Sequence, residues 1–286
     1  MRVLRQMKKM NNNYKYLAVG LVSVIGLSLA SCSDDDDPKG PENVDGPTIE
    51  NVFTEGLPSN VDGATFTTNE KGQLAKIVDG SSIITFEYGS FNPSRATFNV
   101  MMRERDSYDT EDGFDIYMEL NKQGFVTYAY QVYLDDEDDA DEWWFEYNND
   151  GQLTRLKRTE GGDDFKITYK NGDIASVTQD EKDGDHREYT FTYTNAEYKN
   201  PVANKRNIMI FEDFFQIQID EMGVAYFAGL LGKSTKNLPM GYTEKGKEGS
   251  SSYTYEETYH WVFNADNLPT KFWEGDSDHD FVTFAW

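Results

Sequence analysis

Apolar and polar residues alternate through residues 51–286, in runs separated by turns rich in Asn and Gly. The clearest run ends in the aromatic residues Phe145 and Tyr147, passes through the polar turn 148–151 and restarts at Leu153. A period of two places alternate side chains on the same face of a strand. The pattern therefore predicts long β-hairpins rather than helices.

The turns share one chemistry, with Asn in the first position and Gly in the fourth, as in Asn148 and Gly151. The Asn side chain can accept hydrogen bonds from the following backbone, and Gly tolerates a positive φ. We therefore predict type I turns closed by a left-handed residue. Asn171-Gly172 predicts a two-residue type I′ turn. Related turns start at Asn69, Asn121 and Asn264.

The aliphatic residues that follow these turns come three apart, as in Leu153 and Leu156. Residues three apart lie on opposite faces of a regular strand. Either a β-bulge intervenes, or both faces of these strands are covered. The sequence leaves both alternatives open.

One segment, residues 207–232, departs from the alternation. Asp220 could cap a helix over Glu221–Leu231, followed by a stop at Gly232. We interpret this segment as a short helix that covers one end or face of the sheet, with a lid over a ligand pocket as the alternative. Its apolar residues have helical spacing: Val224, Phe227, Ala228 and Leu231.

These patterns predict an all-β fold, an antiparallel meander of repeated long hairpins with one short helix packed on it. Residues 51–286 are expected to form a single domain. A curled half-barrel is one form that such a sheet could take, and closure into a full barrel is left open.

The N-terminal region has a different character. A basic start precedes an apolar run over residues 17–30, the layout of a bacterial secretion signal. The run is shorter than the roughly 20 residues of a spanning helix. Leu29-Ala30-Ser31-Cys32 resembles the lipobox of bacterial lipoproteins, which implies removal of residues 1–31 and acylation of Cys32, the sole cysteine.

The residues after Cys32 extend this resemblance. The acidic run 34–37 is similar to the export signal of Bacteroidetes lipoproteins, which implies an outer-membrane anchor with the protein facing the exterior. Residues 32–50 then form the lipidated cysteine and an acidic tether, which is rich in Pro and Gly and is expected to be disordered.

Two families resemble the remainder of the chain. The hairpin units resemble the tyrosine–aspartate repeats of the Rhs family. Residues 51–286, including the stretch 229–239, resemble a family of uncharacterised Bacteroidetes surface lipoproteins with a porin-like β fold. That family has no assigned activity, so the resemblance implies a fold and a location only.

Charge narrows the range of partners. The formal net charge of −24 opposes binding to nucleic acid or anionic headgroups and favours cations, neutral glycans or a protein partner. The acidic run 135–142 suits a solvated loop better than a calcium site, because the spacing of an EF-hand is missing. The oligomeric state is left open.

Catalytic motifs are missing from the sequence. The three histidines, His186, His260 and His279, lack metal-ligand spacing, and Gly232-Lys233-Ser234 lacks the first glycine of a phosphate loop. We therefore expect no metal and no cofactor. Four tryptophans are candidates for stacking on sugar rings, although core or cross-strand packing is the more common role for each: Trp143, Trp144, Trp261 and Trp273.

The sequence thus favours a non-catalytic binding or scaffolding module, with glycan capture as a specific form. The alternatives are a hydrolase acting on a neutral polysaccharide and a structural protein of the envelope. A hydrolase would need two close carboxylates beside a tryptophan on a concave face.

The lipobox makes a direct prediction about Cys32. Mass spectrometry of the native protein should show a chain that begins at an acylated Cys32, and Cys32→Ser should shift the protein out of the membrane fraction, because a serine cannot take the thioether-linked lipid. An unmodified thiol, or a leader still attached, would contradict the lipoprotein assignment.

Overall fold

The fold is seen in a computed structural model, which describes eight stretches of the chain: residues 46–93, 97–109, 113–134, 140–159, 161–181, 184–248, 251–276 and 280–286. Cys32 and the leader lie outside them. Residues 46–50 lie within them and bind to the fold, ahead of residue 51, the predicted start of the domain.

Sixteen strands follow one another along the chain. They are β1 (Asn60–Val61), β2 (Ala64–Thr68), β3 (Leu74–Asp79), β4 (Ser82–Phe91), β5 (Phe98–Asp106), β6 (Gly113–Leu120), β7 (Val126–Tyr133), β8 (Ala140–Tyr147), β9 (Leu153–Arg158), β10 (Asp164–Lys170), β11 (Asp173–Asp180), β12 (His186–Thr192), β13 (Gly241–Glu248), β14 (Ser251–Phe263), β15 (Pro269–Glu274) and β16 (Phe281–Ala285). One α-helix, α1 (Phe211–Phe215), and two 3₁₀ helices, η1 (Ile49–Asn51) and η2 (Asp220–Tyr226), complete the described elements.

The strands form a closed barrel. Each strand pairs antiparallel with its neighbours in sequence, and β1 pairs with β16 to complete the ring. The predicted antiparallel meander is confirmed, but the half-barrel is wrong. Closure depends on two residue pairs, Asn60 with Ala285 and Val61 with Phe284. A two-residue strand has no periodicity, so the alternation could not reveal it.

The predicted turns are present. The side-chain oxygen of Asn148 accepts hydrogen bonds from the backbone N–H of Asp150 and Gln152, at 3.0 and 2.9 Å, and Gly151 has a φ of +82°. Asn171 and Gly172 both have positive φ, as a type I′ turn requires. The same double acceptance by an Asn side chain recurs at Asn69, Asn121 and Asn264.

A β-bulge follows each of these turns and explains the aliphatic spacing. Tyr147 pairs with Leu153 while Glu146 pairs with Arg155, so Thr154 is an extra residue in the ladder. One extra residue reverses the alternation, so the aliphatic residues on either side of it point to the same face. Of the two alternatives, the bulge is therefore correct. Equivalent register shifts occur in the hairpins β2–β3, β6–β7, β10–β11 and β14–β15.

The barrel wall has an apolar inner face and a charged outer face. Arg103 pairs with Asp115, and Arg155 with Asp164, across strands on the outside, at 3.0 and 2.8 Å. A basic side chain facing lipid at the bilayer midplane costs about 2–4 kcal/mol. The described outer wall is therefore suited to water. Buried side chains on the inner face include Ile84, Val100, Ile116, Phe145, Phe165 and Val177. None of the described helices could serve as a membrane-spanning segment.

A long connection between β12 and β13, residues 193–240, fills the barrel. Phe214 contacts Trp261 of β14 and Phe272 of β15, with ring centroids 5.1 and 4.8 Å apart. Phe227 contacts Phe66 of β2 at 4.9 Å. On the opposite side, the Val126 N–H of β7 donates to the Leu230 carbonyl. These strands lie on different sides of the barrel, and the connection contacts all of them, so it must lie inside the barrel. We call it the interior segment.

The predicted helix was misplaced. One short α-helix exists, but it is α1, and Asp220–Tyr226 forms the 3₁₀ helix η2. Asp220 has a φ of +44°, which is incompatible with a helix cap in the extended region, and Gly229 at +74° ends the following turn. The segment lies inside the wall rather than over it, so its apolar spacing reflects burial on all sides.

The two ends of the barrel differ. The Asn-containing turns all lie at one end, because every second turn of a meander is at the same end. The chain also enters there: Ile49 N–H donates to the Gly72 carbonyl at 3.1 Å, and the Gln73 amide donates to the Gly46 carbonyl at 2.7 Å. We call this the entry end and the opposite one the far end.

A buried ion cluster ties the interior segment to the wall. Arg158 of β9 donates to Asp141 of β8 at 3.0 Å and to Asp220 of the interior segment. Its guanidinium lies 5.6 Å from the ring centroid of Trp143. The Arg158 and Asp141 side chains are 4% and 5% exposed, so solvent cannot replace a lost partner.

Arg158 and Arg155 provide a matched pair of substitutions on one strand. Arg158→Met should lower the free energy of unfolding by about 3–5 kcal/mol, because it removes the cation that compensates the buried carboxylate of Asp141 and the partly buried carboxylate of Asp220. Arg155→Met should change it little, because its ion pair faces solvent. Urea unfolding measures both. Equal losses of stability in the two variants, or an unchanged stability of Arg158→Met, would contradict the conclusion that the ion cluster stabilises the contact between the interior segment and the wall.

Candidate functional site

The structure does not bring the four candidate tryptophans together. Trp143 and Trp261 are buried on the inner face, where Trp143 lies beside Arg158 and Trp261 donates to the Pro239 carbonyl at 2.9 Å. Trp144 is on the outer wall, 41% exposed, with its ring 5.7 Å from that of Tyr128. Trp273 is on the outer wall of β15, stacked on His260 at 5.1 Å.

The remaining candidates lie partly outside the described residues. These include Cys32, His279 and most of the acidic run 135–142. Asp141, at the end of that run, is bound to Arg158. Within the described stretches, no group of three metal-ligating side chains is positioned to hold an ion.

The far end of the barrel has a slanted rim. β14 has 13 residues, and pairs with β13 over residues 251–258 but with β15 only over residues 259–263. The β13–β14 hairpin therefore projects eight residues beyond its neighbour. Strands β11 and β12 extend to a similar height beside this hairpin, because β12 pairs with β13 over its whole length. We call the strands β11–β14 the tall wall. The inner face of this wall forms a partly open concave mouth.

Tyrosines line this inner face. The ring of Tyr242 lies 5.7 Å from Tyr189, 6.4 Å from Tyr255 and 5.8 Å from Tyr259. Tyr189 and Tyr242 are buried, whereas Tyr255 is 47% exposed. Tyr253 lies across Gly246, where an added Cβ would approach its ring to 2.1 Å. The exposure of these tyrosines therefore increases from the buried Tyr189 and Tyr242 to the exposed Tyr255 at the rim.

Charged groups alternate with these rings. The Tyr253 hydroxyl donates to Glu244 at 2.7 Å, and the Tyr255 hydroxyl donates to Glu257. Arg187 forms an ion pair with Glu181 and lies 3.9 Å from Glu244. We use the name mouth cluster for the side chains Arg187, Tyr189, Tyr242, Glu244, Tyr253, Tyr255 and Glu257.

The neighbouring carboxylates raise the pKa of two tyrosine hydroxyls at the mouth. The hydrogen bond to Glu257, together with burial, raises the pKa of Tyr255 to about 12. The hydrogen bond to Glu244, followed by burial, raises the pKa of Tyr253. Burial is the main cause that raises the pKa of Tyr189 and of Tyr242. All four phenols are protonated at neutral pH, and Tyr253 and Tyr255 donate their protons to Glu244 and Glu257.

The interior segment forms the floor of the mouth. The Gln216 amide donates to Glu274 at 3.4 Å, and the buried Tyr259 hydroxyl donates to the Phe214 carbonyl at 3.1 Å. The floor holds the lower rings in place, because Phe215 also packs against Phe191 at 5.2 Å. The mouth is therefore a shallow site above a filled barrel.

This arrangement can bind a ligand that is partly apolar and rich in hydroxyl groups. Aromatic faces cover C–H surface, while carboxylates, phenols and a guanidinium exchange hydrogen bonds with hydroxyls. These tyrosines are absent from the ligand contacts predicted from the sequence, which were all tryptophans. The signal was present in Tyr253, Tyr255 and Tyr259, which share one face by the period of two.

The fold and site define a class of protein, a closed antiparallel β-barrel with a filled interior and a polar outer wall. A family model described as "Domain of unknown function (DUF4595) with porin-like fold" matches residues 64–271, and the chain belongs to this family. The predicted family with a porin-like fold is thereby confirmed, whereas the lipoprotein and Rhs resemblances stay predictions.

A solved structure supports the fold. A porin-like protein from Bacteroides uniformis ATCC 8492 has 17% sequence identity and a TM-score of 0.52, over 78% of this chain and 89% of that chain. At this identity the similarity concerns the fold alone. No curated protein matches the chain in sequence. A porin-like barrel is consistent with an outer-membrane location, whereas the lipid anchor and exterior orientation stay predictions.

Proposed function

We propose that this protein is a non-catalytic, lipid-anchored module that captures a neutral glycan at the mouth cluster, on the exterior side of the outer membrane. The observation that carries the proposal is the position of the mouth. The chain enters the barrel at the entry end, and the mouth is at the far end.

The anchor and the mouth then have compatible positions. Residues 33–45 separate Cys32 from Gly46, a stretch that spans at most about 50 Å when fully extended. An acylated Cys32 would hold the entry end toward the membrane. The far end would face away from it, toward soluble ligands.

The charge of the protein supports a neutral ligand. The net charge of −24 repels anionic polymers, and the carboxylates Glu244 and Glu257 lie at the mouth itself. A neutral glycan offers hydroxyl donors to these carboxylates and C–H faces to the tyrosine rings. Both requirements are met within one concave surface.

The hydrolase alternative receives less support from the geometry. Asp141 and Asp220 are both bound by Arg158, whose guanidinium lies beside the buried ring of Trp143. Glycosidase chemistry needs one carboxyl group that is free to act as general acid, whereas Arg158 engages both of these carboxylates. The alternative of a structural envelope protein predicts no ligand at all.

A glycan array with matched variants tests the proposal. The wild-type protein should bind a subset of neutral glycans, and Tyr255→Ala should weaken binding by about tenfold, equivalent to about 1.4 kcal/mol. The loss follows from removing a stacking face and a phenol oxygen that can accept a hydrogen bond, since the hydroxyl proton of Tyr255 is already donated to Glu257. Trp144→Ala removes an exposed aromatic side chain from the outer wall and should leave the affinity unchanged. Calorimetry on the best array hit measures both.

Three outcomes would contradict the proposal. Equal losses from both variants would place the ligand elsewhere. Release of shorter oligosaccharides from the bound glycan would favour the hydrolase. A blank array together with a blank partner pull-down would favour the structural role.

A further inference from the structure

The tall wall leaves one strand edge open. On one side, β14 pairs with β13 from Ser251 to Thr258. On the other side, β15 begins to pair at Tyr259, and one further bond joins the Gly275 N–H to the Thr258 carbonyl at 3.1 Å. Beyond that bond, no strand of the described chain pairs with this edge of β14.

The backbone groups on this edge can be assigned. The Thr258 carbonyl points toward β15, so the period of two directs the N–H and C=O groups of Ser252, Thr254 and Glu256 the same way. All three residues are exposed. The Thr258 N–H is satisfied by the Glu257 carboxylate at 2.9 Å, which ends the open stretch.

An edge of this kind is unusual in a closed barrel. Closure normally removes edges, and remaining ones are protected by proline, lysine, bulges or a covering loop. Residues 251–258 contain no proline and no lysine, and their register with β13 is regular. Their serines, threonines and tyrosines favour an extended chain.

We propose that the open edge of β14 binds an extended, basic peptide segment of a partner protein by strand addition. The backbone of Ser252, Thr254 and Glu256 would supply main-chain hydrogen bonds. This proposal is independent of both the lipid anchor and the glycan, since the groups that would bind the peptide are backbone groups on the edge of β14.

Charge complementarity at the β15 end of the open edge identifies a basic partner. Glu256 lies on the edge, Glu257 closes it, Glu274 ends β15, and Asp276 and Asp280 belong to the β15–β16 connection. The two lysines nearest the edge, Lys245 and Lys247, lie one strand behind it, opposite Thr254 and Ser252. Residues 251–270 contain no lysine or arginine. Lysine or arginine at alternate positions of the added strand would meet this acidic border. A second copy of the chain would instead oppose one acidic edge with another.

Two synthetic peptides form the test. One alternates lysine with valine over twelve residues, and the other replaces each lysine with glutamate while keeping the strand-forming valines. Fluorescence anisotropy with the purified full chain should show binding of the lysine peptide at least about tenfold tighter than of the glutamate peptide. Added salt should weaken the binding of the lysine peptide.

Matched variants separate the backbone from the side chains. Thr254→Pro removes one edge N–H and should weaken binding about tenfold, whereas Thr254→Ala keeps that N–H and should retain binding within about twofold. Glu256→Lys reverses the charge of the edge and should weaken binding of the lysine peptide. Hydrogen exchange of the wild-type protein should show the amides of residues 252, 254 and 256 protected on binding.

Each contrary result overturns the proposal. Equal binding of both peptides removes the charge argument, and unchanged exchange at the three amides removes strand addition. If raising the protein concentration without any peptide protects these amides from exchange, the edge binds a second copy of the chain instead. If Thr254→Pro does not fold, the exchange data and Glu256→Lys still decide.

Discussion

The need to fill a closed ring of 16 strands governs this structure. A barrel of this strand number encloses more space than its own inward side chains can occupy, and barrels of similar size in membranes hold water or a plug. Here the wall presents apolar residues inward, so water inside would be unfavourable. The interior segment resolves the conflict by bringing α1, η2 and their buried aromatic residues into the ring. Membrane barrels have an apolar outer band and a polar interior. This wall has the opposite arrangement, so its outer face carries the charges.

The sequence predicted the local features of the fold well. The turns at Asn148 and Asn171 are encoded by residues adjacent in the chain, and each was correct in type. The spacing of Leu153 and Leu156 restricted the next step to two alternatives, and the register of the hairpin identified the bulge. Barrel closure escaped prediction because it depends on β1, two residues long, which pairs with a strand more than 200 residues away.

The interior segment and the site escaped prediction for different reasons. A segment that is buried on all sides has no polar face, so the helical spacing around Phe227 described burial instead of an amphipathic helix. The mouth cluster depends on the unequal heights of β14 and β15, a property of register rather than of composition. Trp144 was a predicted ligand contact and Tyr255 was not, and the direction of each side chain, which the structure supplies, reverses that choice.

The pairing of β1 with β16 has a consequence for how the molecule folds. The wall can be built hairpin by hairpin from neighbouring residues, with little loss of chain entropy at each step. The pairing of β1 with β16 is the seam that closes the barrel, and it joins the first and the last strand of the domain. It can form only after the interior segment has packed within the growing sheet. Contacts of such long sequence separation slow folding. We therefore expect sealing of the seam between β1 and β16 to be the last and slowest event in folding.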